Sequence, residues 1–79
     1  MKITRQRARF LMDSVEDSIG ERHAMLTISQ FAQIAGKDRM TIWDRCARGE
    51  LPAVQERKGA QYRIHYHQLD SYITPEVAA

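Results

Sequence analysis

The sequence predicts a mainly α-helical chain with a small β-wing, and three stretches predict it. In residues 29–53, two short segments with apolar stripes are joined by a glycine turn and closed by a glycine and a proline. In residues 54–65 the pattern becomes an alternating one on either side of Lys58-Gly59-Ala60. In residues 4–19, apolar residues recur at near-helical spacing. Two helices with a tight turn between them, the second carrying charge on one face, describe a helix-turn-helix. The strand pattern behind it makes the unit winged, and the first stretch adds an N-terminal amphipathic helix.

The N-terminal helix is read from Ile3, Phe10, Leu11, Val15 and Ile19, with Thr4 as its cap and Gly20 as its end. Its charges are segregated, Lys2, Arg5, Arg7 and Arg9 preceding Asp13, Glu16, Asp17 and Glu21. That order opposes the helix macrodipole, which favours acids first and bases last. Two explanations stand. Either the basic end lies near phosphate or an acidic partner, or the charges form a solvated face. Residues 21–25 are a short polar connection, and no linker splits the chain.

In the central motif, Leu26-Thr27-Ile28 leads into Ser29, the expected cap of the first helix. Leu26 or Ile28 serves as a hydrophobic staple at its entry. Phe31, Ala32, Ile34 and Ala35 form the stripe, and Gly36 ends it by accepting a left-handed conformation. Asp38 caps a second helix that runs to about Arg48; Gly49 closes it and Pro52 prevents its continuation. The wing then has 54–57 and 61–65 as strands, with Tyr62 and Ile64 on one face and Arg63 and His65 on the other. A last short helix spans about 67–73, with Leu69, Tyr72 and Ile73 for the core, and Thr74-Pro75 ends it. The expected organisation is 1–25 for the N-terminal helix and connection, 26–74 for the winged unit and 75–79 for a frayed tail.

The run LTISQFAQIAGKDRMTIWDRCARGELPAV, followed by QYRIHYHQLDSYI, resembles the excisionase-type branch of the MerR-like winged helix-turn-helix family. The resemblance rests on Leu26-Thr27-Ile28, Ala32, Gly36, Arg39, Thr41-Ile42 and Trp43. It continues through Gly49-Glu50-Leu51-Pro52-Ala53 and Tyr62-Arg63-Ile64 to Leu69 and Tyr72-Ile73. It covers roughly residues 26 to 73. Lys37 stands where the family usually has a small aliphatic residue, and Arg45 where it usually has Leu. Their stems must pack while their charged heads reach solvent or phosphate. The resemblance implies a sequence-specific DNA-binding protein, either an excisionase-like architectural factor that bends DNA and directs a recombinase or a small transcriptional regulator. The alternative is a protein-interaction module, such as an antitoxin or phage packaging subunit, that docks a partner through the N-terminal helix.

Composition sets the outer bounds. Seventy-nine residues, 43% apolar and 28% charged, make one small globular domain. Twelve basic and ten acidic residues leave a net charge of only +2, so charge distribution has to carry any nucleic-acid argument. The lone Cys46 excludes an intrachain disulfide and suits a reducing cytosol. No apolar run approaches the roughly 18 residues of a membrane span, and MKITRQRARFLM is too charged for a signal-peptide core. A cytoplasmic protein is expected, with no cofactor and no membrane partner.

If helix 38–48 lies in a major groove, its N-terminal residues reach base edges. Ile42 and Cys46 face inward, leaving Arg39, Met40, Trp43, Asp44 and Ala47 outward, with Arg48 near the end. Arg39 suits a bidentate contact to guanine, or else a phosphate or Asp38. Thr41 bonds a phosphate or the preceding turn's carbonyl, and Trp43 lies on sugar and phosphate or on the wing. Asp44 would repel phosphate, so it accepts from cytosine or holds Arg48. Lys37 lies in the turn near the backbone, and Arg57 and Lys58 at the wing tip near the minor groove. The expected DNA-binding set is therefore Ser29, Lys37, Arg39, Met40, Thr41, Trp43, Asp44, Arg45, Arg48, Arg57, Lys58 and Arg63. Arg5, Arg7 and Arg9 are further contacts to DNA or a partner. From Lys37 to Arg63, seven basic residues against four acidic ones give +3. One subunit then binds weakly at physiological salt, and self-association on DNA, or a recombinase or toxin partner, would strengthen it. Catalytic patterns are missing: no Ser-His-Asp order, phosphate-binding glycine loop or paired-carboxylate site stands out. His65 and His67 lack an evident third ligand, so no metal site is expected.

Overall fold

The computed structural model describes residues 3–73, and its first element, α1 (Arg5–Ile19), forms where its caps place it. The Thr4 hydroxyl accepts from the backbone N–H of Arg7 at 3.0 Å. Gly20, at φ 79°, turns the chain out, and its N–H donates to the Glu16 carbonyl. Leu11 and Val15 are fully buried, with Phe10, Met12 and Ile19 packed against the same cluster. The unfavourable charge order of α1 is answered by groups outside the helix. Arg22, just past the C-terminus, lies 3.1 Å from Glu16 and 3.5 Å from Asp13. Both contacts are half exposed and contribute only about 0–1 kcal/mol. Arg7 is different: its side chain is 17% exposed, and its Nε donates to Asp70 Oδ1 at 2.6 Å. The same guanidinium donates to the Ile73 carbonyl at 2.9 Å, which ties α1 to the far end of the chain.

β1 (Met25–Thr27) runs directly into α2 (Ile28–Ala35). The cap of α2 is Thr27, not the expected Ser29. Thr27 has a partner three residues on and Ser29 has none: Gln30 N–H donates to Thr27 Oγ1 at 3.2 Å, and Gln30 Oε1 accepts from Thr27 N–H at 3.0 Å. This reciprocal pair satisfies two free amides at once. Leu26 precedes the cap and Phe31 is the fourth helical residue; both are fully buried, as a hydrophobic staple requires. Gly36, at φ 70°, ends α2. Asp38 then caps α3 (Arg39–Ala47) by accepting from Met40 N–H at 3.0 Å. Ile42 and Cys46 turn inward, and Leu51 returns the chain to the core.

β2 (Arg63–His65) pairs antiparallel with β1, in the register Met25 to His65, Leu26 to Ile64 and Thr27 to Arg63. This corrects the expected wing ladder of 54–57 against 61–65. The wing's two legs meet at a single bridge, Val54 to Arg63, made by two backbone bonds of 2.9 Å. The difference follows from burial. Leu26 and Ile64 form a fully buried cross-strand pair, whereas residues 55–57 are exposed and offer no apolar face to set a register. The short helix expected over about 67–73 forms as a 3₁₀ helix, Tyr66–Ser71. Such tighter turns suit a segment this short. Leu69 is buried, and Tyr72 meets Phe31 edge-on at 5.3 Å. The expected stop at Thr74-Pro75 and the tail lie outside the described residues.

The start of the 3₁₀ helix carries a pH dependence. His67 N–H donates to His65 Nδ1 at 3.2 Å, so the neutral imidazole acts as the cap. Burial, and secondarily the charge of His67, push the His65 pKa below its ordinary 6.5. The unfolded chain then takes up this proton first, so stability is present above about pH 6.5 and is lost as pH falls through the lowered value. His65→Asn keeps a cap acceptor and cannot titrate. It should flatten part of the drop in Tm between about pH 7 and pH 5. An unchanged drop would assign the acid sensitivity to other groups.

Candidate nucleic-acid interface

With Ile42 and Cys46 holding α3 to the core, its opposite side stands free. Met40 is 67% exposed and Trp43 47% exposed there. Trp43 meets Tyr62 of the wing at 6.5 Å and an interplanar angle of 77°, so the wing steadies the indole edge-on. Arg39, the first residue of α3, donates from Nη1 to Ser29 Oγ at 3.4 Å. An open cleft of about 240 Å³ results, lined by Ile28 and Ser29 from α2, Arg39, Met40 and Trp43 from α3, and Gln61 from the wing. The start of α2, the outer face of α3 and the root of the wing therefore share one surface. Gln61 was not legible as part of it, because nothing in its local pattern says which element its strand leg approaches.

The remaining candidates fall into distinct groups. Asp44 holds Arg48 at 2.7 Å, and Arg48 also lies 3.3 Å from Glu50, so this cation is flanked by two carboxylates. Thr41 is half-buried on the flank of α3. Among the described residues, Lys37, Arg39, Arg57, Lys58 and Arg63 form no ion pair, and all five are exposed. The wing tip is braced from within: Gln55 Nε2 donates to the Ala60 carbonyl at 2.7 Å, and Gly59 adopts φ 87°. Arg5 and Arg9 are exposed at the start of α1, while Arg7 is engaged with Asp70.

Arg45 occupies a separate place. Its Nη1 donates to the Tyr72 hydroxyl at 2.9 Å, and this bond raises its pKa further. Arg45 and Lys37, the two departures from the family pattern, line one cleft of about 350 Å³ with Glu50, Pro52 and Tyr72. Cys46 is buried, and burial raises its thiol pKa, which makes it a small packing group rather than a nucleophile. Among the described residues, no group of three or more His, Cys, Asp or Glu is placed to hold a metal. Nor is any described helix long and apolar enough to cross a membrane.

A helix-turn-helix domain matches residues 25–76, more than half of the chain and the span from β1 onward. The chain belongs to the excisionase-like helix-turn-helix family. No curated protein and no solved structure matches it. The fold agrees with membership: mainly helical, with a small two-stranded antiparallel sheet, as a winged helix-turn-helix requires. DNA binding, in the general sense of the helix-turn-helix family, is its function. α1 precedes the matched span but shares the same buried cluster.

Proposed function

We propose that this helix-turn-helix protein binds DNA sequence-specifically, with residues 38–48 reading the major groove and the wing, 54–65, touching backbone or the adjacent minor groove. It acts as an excisionase-like architectural factor or as a small transcriptional regulator. The observation that carries this reading is the shared surface where Arg39, Met40 and Trp43 stand outward beside Ser29 and Gln61. Lys37, Arg57, Lys58 and Arg63, exposed and in no ion pair among the described residues, supply the phosphate attraction that orients such a surface. Arg7 and Arg45 are better explained as internal ties, to Asp70 and Tyr72, than as DNA contacts. Docking of a toxin or recombinase through α1 has less support, because Leu11 and Val15 are already buried in the chain's own core.

Replacing both Arg57 and Lys58 with Ala should weaken binding about equally on every duplex. The slope of log affinity against log salt should shrink by roughly one per lost phosphate contact, about two in all. A salt titration with an unchanged slope would take the wing out of the interface.

A further inference from the structure

The described residues leave three large apolar side chains exposed, and two of them, Met40 and Trp43, stand three residues apart on α3. Side chains at that spacing are neighbours on a helix surface. The fold does not need them there, because α3 already faces the core with Ile42 and Cys46. Apolar surface kept in water gains free energy only when something covers it. The cleft beside them is rimmed by polar Ser29 and Gln61 and edged by the Arg39 guanidinium. An occupant must therefore be anionic as a whole, polar at its edges and apolar at one small point. Duplex DNA fits that description through its major groove, where the thymine methyl is the apolar group on the base edges.

We infer that Met40 is a specificity-determining residue: the C5-methyl of a thymine enters the cleft between Met40 and Trp43, next to the base pair that Arg39 contacts. Arg39 and Met40 both open α3 and line the same cleft, so neighbouring base pairs are within their reach. The edge-on contact with Tyr62 keeps the Trp43 ring from collapsing over the cleft, which leaves room for a methyl group. Ser29 accepts from Arg39 at 3.4 Å, which leaves the guanidinium at the rim of the cleft until a better acceptor takes it. This inference rests on the reading of α3 as the groove-entering helix and specifies what that helix selects.

The test uses the full chain and a duplex selected by it from a random library. Each thymine of the selected site is replaced in turn by deoxyuridine, which removes the methyl and keeps every hydrogen-bonding group. At one position the wild-type protein should lose about three- to fivefold in affinity, the worth of one buried methyl group. With Met40→Ala the same replacement should cost nothing, and with Met40→Leu the cost should return, giving a coupled cycle. Met40 is exposed, so these variants keep their fold, which circular dichroism checks. The inference is overturned if deoxyuridine is tolerated at every thymine while Arg39 remains essential for the selected site. It is also overturned if the loss is the same in Met40→Ala. A wild-type protein that selects no sequence overturns the groove reading itself, and this inference with it.

Discussion

Replacing Leu11 with Ala should lower the unfolding free energy by about 2–5 kcal/mol, as large-to-small changes in a packed core do. Leu11 is fully buried, and its cluster contains Leu26, Phe31, Ile64 and Leu69, one from nearly every other element. A cavity there would be felt on both sides, because α1 packs against α2 and the 3₁₀ helix together. Small domains have only about 5–15 kcal/mol in total, so a loss of this size is a large share. Urea unfolding measures it directly, with Asp17→Ala, on the exposed side of α1, as a control within about 0.5 kcal/mol of wild type. Removal of residues 1–24 should go further and prevent folding, since it also takes away Val15 and the Arg7 partner of Asp70. A truncated chain that stays folded would make α1 an appendage, and its burial on the domain would then need another explanation.

Much of this architecture was legible because its punctuation is local. Thr4 and Gly20 bound α1, Gly36 and Asp38 bound the turn, and each acts within a few residues of itself, Thr4 and Asp38 by a side-chain acceptor and the glycines by a left-handed backbone. Ser29 shows the limit of residue type alone. Its hydroxyl suits a cap, but the reciprocal Thr27–Gln30 spacing decides, and that signal was present in the sequence. The strand pairing at the wing was hidden for a different reason. Alternation in 61–65 correctly marks a strand, yet it cannot say which neighbour that strand pairs with. The buried Leu26–Ile64 pair, formed by residues far apart in sequence, settled it in favour of β1.

The candidate site divides along the same line. The inward turn of Ile42 and Cys46 follows from helical periodicity and leaves Arg39, Met40 and Trp43 outward. Whether a cation is available does not follow from periodicity, because it depends on distant partners. Arg7 meets Asp70 and Arg45 meets Tyr72 across long sequence separations. By contrast, the Asp44–Arg48 contact is a one-turn helical pair and could be read directly.

Arg39→Ala carries the second large effect, roughly 1–3 kcal/mol on the preferred site and little on unrelated DNA. Arg39 is exposed, forms no ion pair among the described residues and opens α3. A cation in the first turn opposes the helix macrodipole at a cost of about 0.3–1 kcal/mol, and no ion pair among the described residues offsets it. Its contact to Ser29 Oγ, at 3.4 Å, is long enough to yield to a better acceptor. The paired acceptors on a guanine edge are such a target, and a bidentate arginine contact there separates guanine from the other bases. A loss of equal size on all DNA would make Arg39 a phosphate clamp and move specificity elsewhere on α3.

Everything proposed for α3 depends on its outer face reading base sequence. The most direct measurement of this is a titration of wild type and Arg39→Ala against two duplexes of equal length at one salt concentration, one selected from a random library and one scrambled. Wild type should prefer the selected duplex by at least about tenfold, and Arg39→Ala should lose most of that preference while still binding both. If wild type binds the two duplexes equally, or if Arg39→Ala keeps the full preference, α3 does not read sequence through Arg39.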